Sequence, residues 1–385
     1  MESNRTRSSG GSIAGKPPFT LTRSSPLVPR PVSRLVSWPL ERRSFCGYNE
    51  FGTGATNRTI KACHYNNMEM NAMKRQSRRD FLKKSAMMGG AMALGPLGAA
   101  TAQEASAPPM CIARWKGAAA STPEAIQAMA IQLTQQAMAG LGGMGRFVKK
   151  GDVVWVKPNM AWDRTPEFAA NTNPDVVATL VRLCLEAGAK TVKVGDMTCN
   201  DNKKAYPASG IEAAAKAAGA EIVYLDENRF REVEVKGKRL DKWLVYPEII
   251  ESDLVVNVPI VKHHTLSKAT LCMKNYMGVI AGKRAQWHQD LPTCLCDITA
   301  FMKPRLCVLD AIRILTANGP TGGNLDDVKR MDTVAAGTDI VAMDAFGAEL
   351  LGHKPEDIQS VAAGFKAGLG QIDYRKLALK ELEAA

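Results

Sequence analysis

"DVVWVKPN", residues 152–159, and "NPDVVATLVRLCLEAGAKTVKVGD", residues 173–196, decide the fold. The first is a short β-branched run stopped by Pro158. The second opens on an Asn-Pro pair and spaces Val177, Leu180, Leu183 and Leu185 at helical intervals. It breaks at Gly188 and resumes as a strand. A further helix, "GIEAAAKAAGA" (210–220), and a strand, "EIVYLDEN" (221–228), follow. This alternation predicts an α/β fold, a mainly parallel sheet covered by helices on both faces.

Working outward, "STPEAIQAMAIQLTQQAMAGLGG" (121–143) runs from a Ser/Thr-Pro start to a Gly stop, a complete helix. "REVEVKGKRLDKWLVYP" (231–247) predicts a β-hairpin insertion turning near Gly237. "DLVVNVPIV", "RLCVLDAI" and "DTVAAGT" read as later strands, with helices near 294–303, 339–351 and 355–368. No repeat of fixed period interrupts residues 103–385, which are expected to form a single α/β domain.

The net charge of +12 suggests nucleic acid until it is located. Residues 1–102 hold 16 Lys and Arg against 5 Asp and Glu; the remainder holds 34 against 33. Only the leader is basic, which excludes a nucleic-acid-binding domain. Residues 1–69 are Ser-, Arg-, Pro- and Gly-rich and are expected to be a disordered, non-native extension. Translation is then expected to start at Met68, Met70 or Met73, and an organelle transit peptide is the alternative. Within residues 70–102, Ser77-Arg78-Arg79-Asp80-Phe81-Leu82-Lys83 resembles the twin-arginine export signal through Arg78, Arg79, Phe81 and Leu82. The Gly-broken apolar stretch behind it is too short to span a membrane stably. It ends in Ala100-Thr101-Ala102, so cleavage is expected after Ala102. The resemblance implies recognition by the twin-arginine machinery and a periplasmic or otherwise exported product.

In open parallel sheets, ligands lie beyond the carboxyl ends of the strands. Lys157 and Asn159, Asp196, Asp226, Lys262 with His264, and Asp310 all stand at such ends. Any one of these could be a solvated strand end; together they predict a shared crevice. Lysines are ordinarily exposed, yet Lys157, Lys262 and Lys274 adjoin apolar runs. Each must reach outward or meet an anion, and three together could hold a carboxylate or phosphate. Lys274, Asn275 and Gly278 lie at a junction with a helix, where an anion or an ordinary helix cap fits equally. "GPTGG", 319–323, reads as a turn.

His263, His264 and His288 stand near Cys294, Cys296 and Asp297. A transition metal on Cys294, Cys296 and His288 is one reading, although no spacing matches a standard zinc site. Acid–base catalysis by His264 or His288, oriented by Asp196 or Asp310, is the other. Seven cysteines follow Ala102, an odd number without regular spacing, which argues against a disulfide framework.

"VWVKPNM", "NTNPDVV", "EAGAKTVKVGD", "DLVVNVPIVKHH", "TLCMKNYMGVIAG", His288, "VLDAI" and "NGPTGG" occur in the order seen in the domain-of-unknown-function family 362, which the chain resembles from about residue 150 to 350. The resemblance implies an α/β fold and favours His264 over His263. Some members carry a ferredoxin-like cysteine run, but Cys294-Leu295-Cys296 is only C-x-C, so the standard cluster motif is absent. Two principal functions stay open. One is an exported enzyme that binds a small anion through lysines and performs an acid–base isomerisation, transfer or redox step. The other is an iron–sulfur or metal-binding redox protein exported folded. A binding protein without catalysis is a third.

Overall fold

A computed structural model describes residues 107–385. The arginine pair, the apolar stretch and the cleavage position at Ala102 lie outside them. In chain order the strands are β1 (Met110–Trp115), β2 (Val153–Pro158), β3 (Thr191–Val194), β4 (Glu221–Ile222), β5 (Arg231–Glu234), β6 (Lys242–Val245), β7 (Leu254–Val258), β8 (Ile260–His264), β9 (Lys268–Thr270), β10 (Leu306–Leu315), β11 (Val328–Gly337) and β12 (Leu379–Ala384). The helices are α1 (Pro123–Gly140), α2 (Pro174–Glu186), α3 (Asn202–Ala208), α4 (Ile211–Ala217), α5 (Pro247–Glu251), α6 (Cys272–Asn275), α7 (Leu291–Met302), α8 (Ile340–Leu350) and α9 (Gln359–Lys366).

The main sheet runs β12-β1-β11-β10-β7-β2-β3-β4, with β8 beside β10 and β9 beside β8. From β10 through β7, β2 and β3 to β4 every pairing is parallel. The α/β reading holds, with one addition: β11 pairs antiparallel with both β1 and β10. The strands β1 and β12 went unread in the sequence, because short flanking runs carry no turn signal comparable to Pro158 or Gly188.

Helices cover both faces because the buried strands alternate side chains. Val154 and Val156 face a layer holding Met129 and Leu133 of α1 and Val177 and Leu180 of α2. Trp155, between them, faces the opposite layer with Ile298 of α7, Val341 and Phe346 of α8 and Val361 of α9. On α2 the buried stripe is Val176, Val177, Leu180, Val181 and Cys184, so Leu183 and Leu185 sit at its margin instead of within it. The helix starts follow their caps: Thr122 Oγ1 accepts from Ala125 N–H at 3.2 Å, and Asn173 Oδ1 from Asp175 N–H at 2.8 Å.

The hairpin β5–β6 forms its own two-stranded sheet. Its turn is clamped by Asp297 of α7, whose carboxylate accepts from the backbone N–H groups of Lys238, Arg239 and Leu240 at 2.7–2.9 Å. Three donors converging on one charge make Asp297 a structural clamp. The variant Asp297→Ala is expected to lose about 2 kcal/mol or more, read as a lower urea midpoint at unchanged slope. A midpoint within error of the parent protein would refute the clamp.

Candidate functional site

The chain leaves β2 towards β3 and β4 on one side, then returns to place β7 on the other. Strand order therefore reverses beside β2, and such a switch point opens a crevice beyond the strand ends. Here the structure brings together Lys157, Asn159, Asp196, Lys262 and Asn275. Lys157 Nζ lies 2.6 Å from Asp196 Oδ1, both side chains being at most 2% exposed. It also donates to Pro158 O at 2.8 Å and Asn275 Oδ1 at 3.0 Å. Asn159 Nδ2 donates to the same Asn275 oxygen, and Lys262 Nζ donates to Asn159 Oδ1 at 3.1 Å. Lys262 completes its set on Ala170 O and Pro320 O and lies 5.8 Å from the Trp162 ring centroid.

An ammonium has three N–H donors, and in both lysines all three are taken. Burial pulls Lys157 below its ordinary value, with Asp196 pushing back. Burial lowers Lys262 to about 7. Its three oxygen acceptors nonetheless need three donors, which only the protonated form supplies. These lysines form the wall of the crevice and have no donor left for a ligand.

Lys274 differs. Its Nζ has the Met277 thioether at 3.8 Å as hydrogen-bond partner and no carboxylate at ion-pair distance among the described residues. Burial lowers it to about 8, with Arg284 adding to the depression and Cys199 opposing it. Arg284 likewise has no carboxylate at ion-pair distance among the described residues. It donates to the carbonyls of Met197, Met277 and Thr198, leaving Nε–H and one terminal N–H unassigned. Arg284 and exposed Cys199 line a cavity of about 420 Å³ whose wall includes Asp196 and Asn200. Sequence reasoning missed both residues. The signals were their positions, Cys199 just after β3 and Arg284 just after Gly282.

The two histidines near Lys274 present opposite faces to chemistry. His264 Nδ1 accepts from Leu266 N–H at 3.1 Å and Ser267 N–H at 3.4 Å, so its proton sits on Nε2. Burial, then Lys274 and His288, hold it down at about 3, so it stays neutral. His288 Nδ1 lies 3.3 Å from Ala285 O; a carbonyl only accepts, so Nδ1 carries the proton and Nε2 keeps a lone pair. Burial and Lys274 lower its proton affinity too. The rings stack with centroids 5.9 Å apart. His263 turns away and accepts from Gly319 N–H at 3.1 Å.

Among the described residues no carboxylate orients either imidazole; backbone groups do. Asp196 is held by Lys157 and by Met160 N–H at 2.7 Å. Asp310 accepts from Asn173 and Ile312 N–H at 2.7 and 3.0 Å, and burial raises it to about 6. It fastens the loop ahead of α2 to β10. Gly278 contributes closeness: a Cβ there would stand 1.8 Å from Asp196 Oδ1. Cys294 and Cys296 lie buried on α7, with burial raising each thiol to about 11. They do not gather with His288, since no group of three or more His, Cys, Asp or Glu side chains converges to hold a metal among the described residues. Nor is any described helix long and apolar enough to cross a membrane.

Two comparisons bear on this site. Residues 154–349 match the family described as a domain of unknown function, DUF362. That span holds every crevice residue named above. A Thylakoid-associated protein of Synechocystis sp. is 30% identical over 244 residues, covering 60% of this chain and 72% of that one.

Gly278→Ala tests the packing of the buried pair. A methyl 1.8 Å from Asp196 Oδ1 and 2.5 Å from Lys157 Nζ must separate them. Breaking a buried pair costs about 3–5 kcal/mol, to be measured by denaturant unfolding. Gly145→Ala has open space around it and should stay within about 0.5 kcal/mol.

Proposed function

The chain belongs to the DUF362 family, and from its crevice we propose an exported α/β protein that binds a small anion and moves a proton on it. The observation that carries this reading is Lys274, a half-buried cation beside Arg284 whose hydrogen-bond partner is a thioether. A positive field without a carboxylate counter-ion favours an anionic guest. Lys274 and Arg284 hold that anion, a carboxylate or phosphate. His264 donates from Nε2–H, and His288 accepts a proton at Nε2 and returns it. Such a pair suits an acid–base isomerisation or transfer on an organic acid or phosphorylated compound. Lys157 and Lys262, with every donor occupied, keep the crevice in shape.

Sulfate, which does not titrate near neutrality, is the probe. At about ten times its Kd it should raise Tm by roughly 3 °C, and Lys274→Met should abolish that rise. With Lys274 at about 8, the ammonium predominates below pH 8 and is lost above it. Sulfate affinity should therefore hold from pH 6 to 7 and fall as pH passes 8. Affinity that stays level to pH 9.5, or survives Lys274→Met, would place the anion elsewhere. Export is tested separately: Arg78→Lys with Arg79→Lys should remove the protein from the periplasmic fraction. Unchanged export would defeat that part of the proposal.

A further inference from the structure

The cavity beside Arg284 and Cys199 does not end there. A second cavity, of about 590 Å³, is lined by Asn202, Lys203, Tyr224, Leu225, Asp226 and Glu227. The two share Asn202, Leu225 and Glu227 as walls. They form one cleft with the guanidinium at one end and an aromatic side chain at the other.

The aromatic end is rigid. Tyr224 packs one face on fully buried Tyr206, with ring centroids 4.5 Å apart and planes 18° from parallel. Its hydroxyl donates to Glu212 Oε2 at 2.7 Å, yet the residue keeps 38% exposure. An aromatic ring fixed on one face and bare on the other is a stacking platform. Beside it, Asp226 uses Oδ1 to receive Asn228 N–H and Nδ2–H, leaving Oδ2 uncommitted. Glu227 is exposed and has no hydrogen-bond partner among the described residues. Lys203 adds one cation to this end. Two carboxylates would repel a bare anion, so the ligand portion beside them must bring donors such as hydroxyl groups.

We propose that the cleft binds a nucleotide-like ligand: a planar heteroaromatic ring on Tyr224, vicinal hydroxyls on Asp226 and Glu227, and a phosphate at Arg284. This rests on the anion reading above and extends it to the substrate class. Of the carboxylates beside Arg284, Asp196 is paired with Lys157 and Asp201 accepts from Lys203 N–H, so inorganic phosphate fills only the Arg284 end, while the ring and hydroxyls extend to Tyr224.

Calorimetric titration of the full-length protein with AMP, adenosine and inorganic phosphate tests the proposal. AMP should bind at least about tenfold tighter than phosphate, the scale of one base–aromatic stack. Tyr224→Ala should weaken AMP by about that factor and leave phosphate unchanged, while Tyr224→Phe should retain AMP binding. Phosphate binding with AMP no tighter overturns the nucleotide proposal and spares the anion site, as does equal AMP affinity in Tyr224→Ala. Absence of binding by AMP and phosphate alike overturns both.

Discussion

The ion pair between Lys157 and Asp196 fixes the geometry of everything around it. Placing two charges where neither is more than 2% exposed is unfavourable unless the opposite charge and further hydrogen bonds replace the lost water. The chain meets that demand with backbone and amides: Pro158 O and Asn275 Oδ1 take the other two ammonium protons, and Met160 N–H takes the second carboxylate oxygen. Because Asn275 also receives Asn159 Nδ2–H and donates to Asn257 Oδ1 at 2.8 Å, the pair ties β2, β3, β7 and α6 into one polar unit. An apolar substitute could match its volume but not its directionality, so the unit specifies how four elements meet.

That unit also explains why the cations in the crevice differ in kind. Lys157 and Lys262 arise on strands and point into oxygen-lined surroundings, where they become part of the wall. Lys274 arises on the single turn of α6 and Arg284 on the 3-10 stretch after Gly282, both beyond the sheet. Neither meets a carboxylate among the described residues. The histidines complete this second layer, and their complementary tautomers follow from local backbone contacts.

The parallel sheet was legible because Pro158, Gly188 and the apolar periods around them state strand, helix and strand without competition. The rim was legible for the same reason, since residues just past strand ends gather once strands are parallel. Which lysine stays available was not. That depends on whether carbonyls from Ala170 and Pro320 arrive at Lys262, residues far along the chain whose approach has no local pattern. Arg284, Cys199 and Tyr224 escaped because each looks ordinary in its own segment. The expected carboxylate–histidine pairing failed because Asp196 and Asp310 are claimed by backbone N–H groups and a lysine instead.

The strand β1 has a consequence for biogenesis. Met110 pairs with Gly337 on one side and Leu379 on the other, so the earliest strand of the sheet is gripped by two of the latest. During synthesis β1 must wait, unpaired and apolar, until β11 and β12 have left the ribosome. Contacts this distant in sequence slow folding and prolong the exposure of sticky edges. A long interval with one apolar edge unpaired follows from the placement of this one strand.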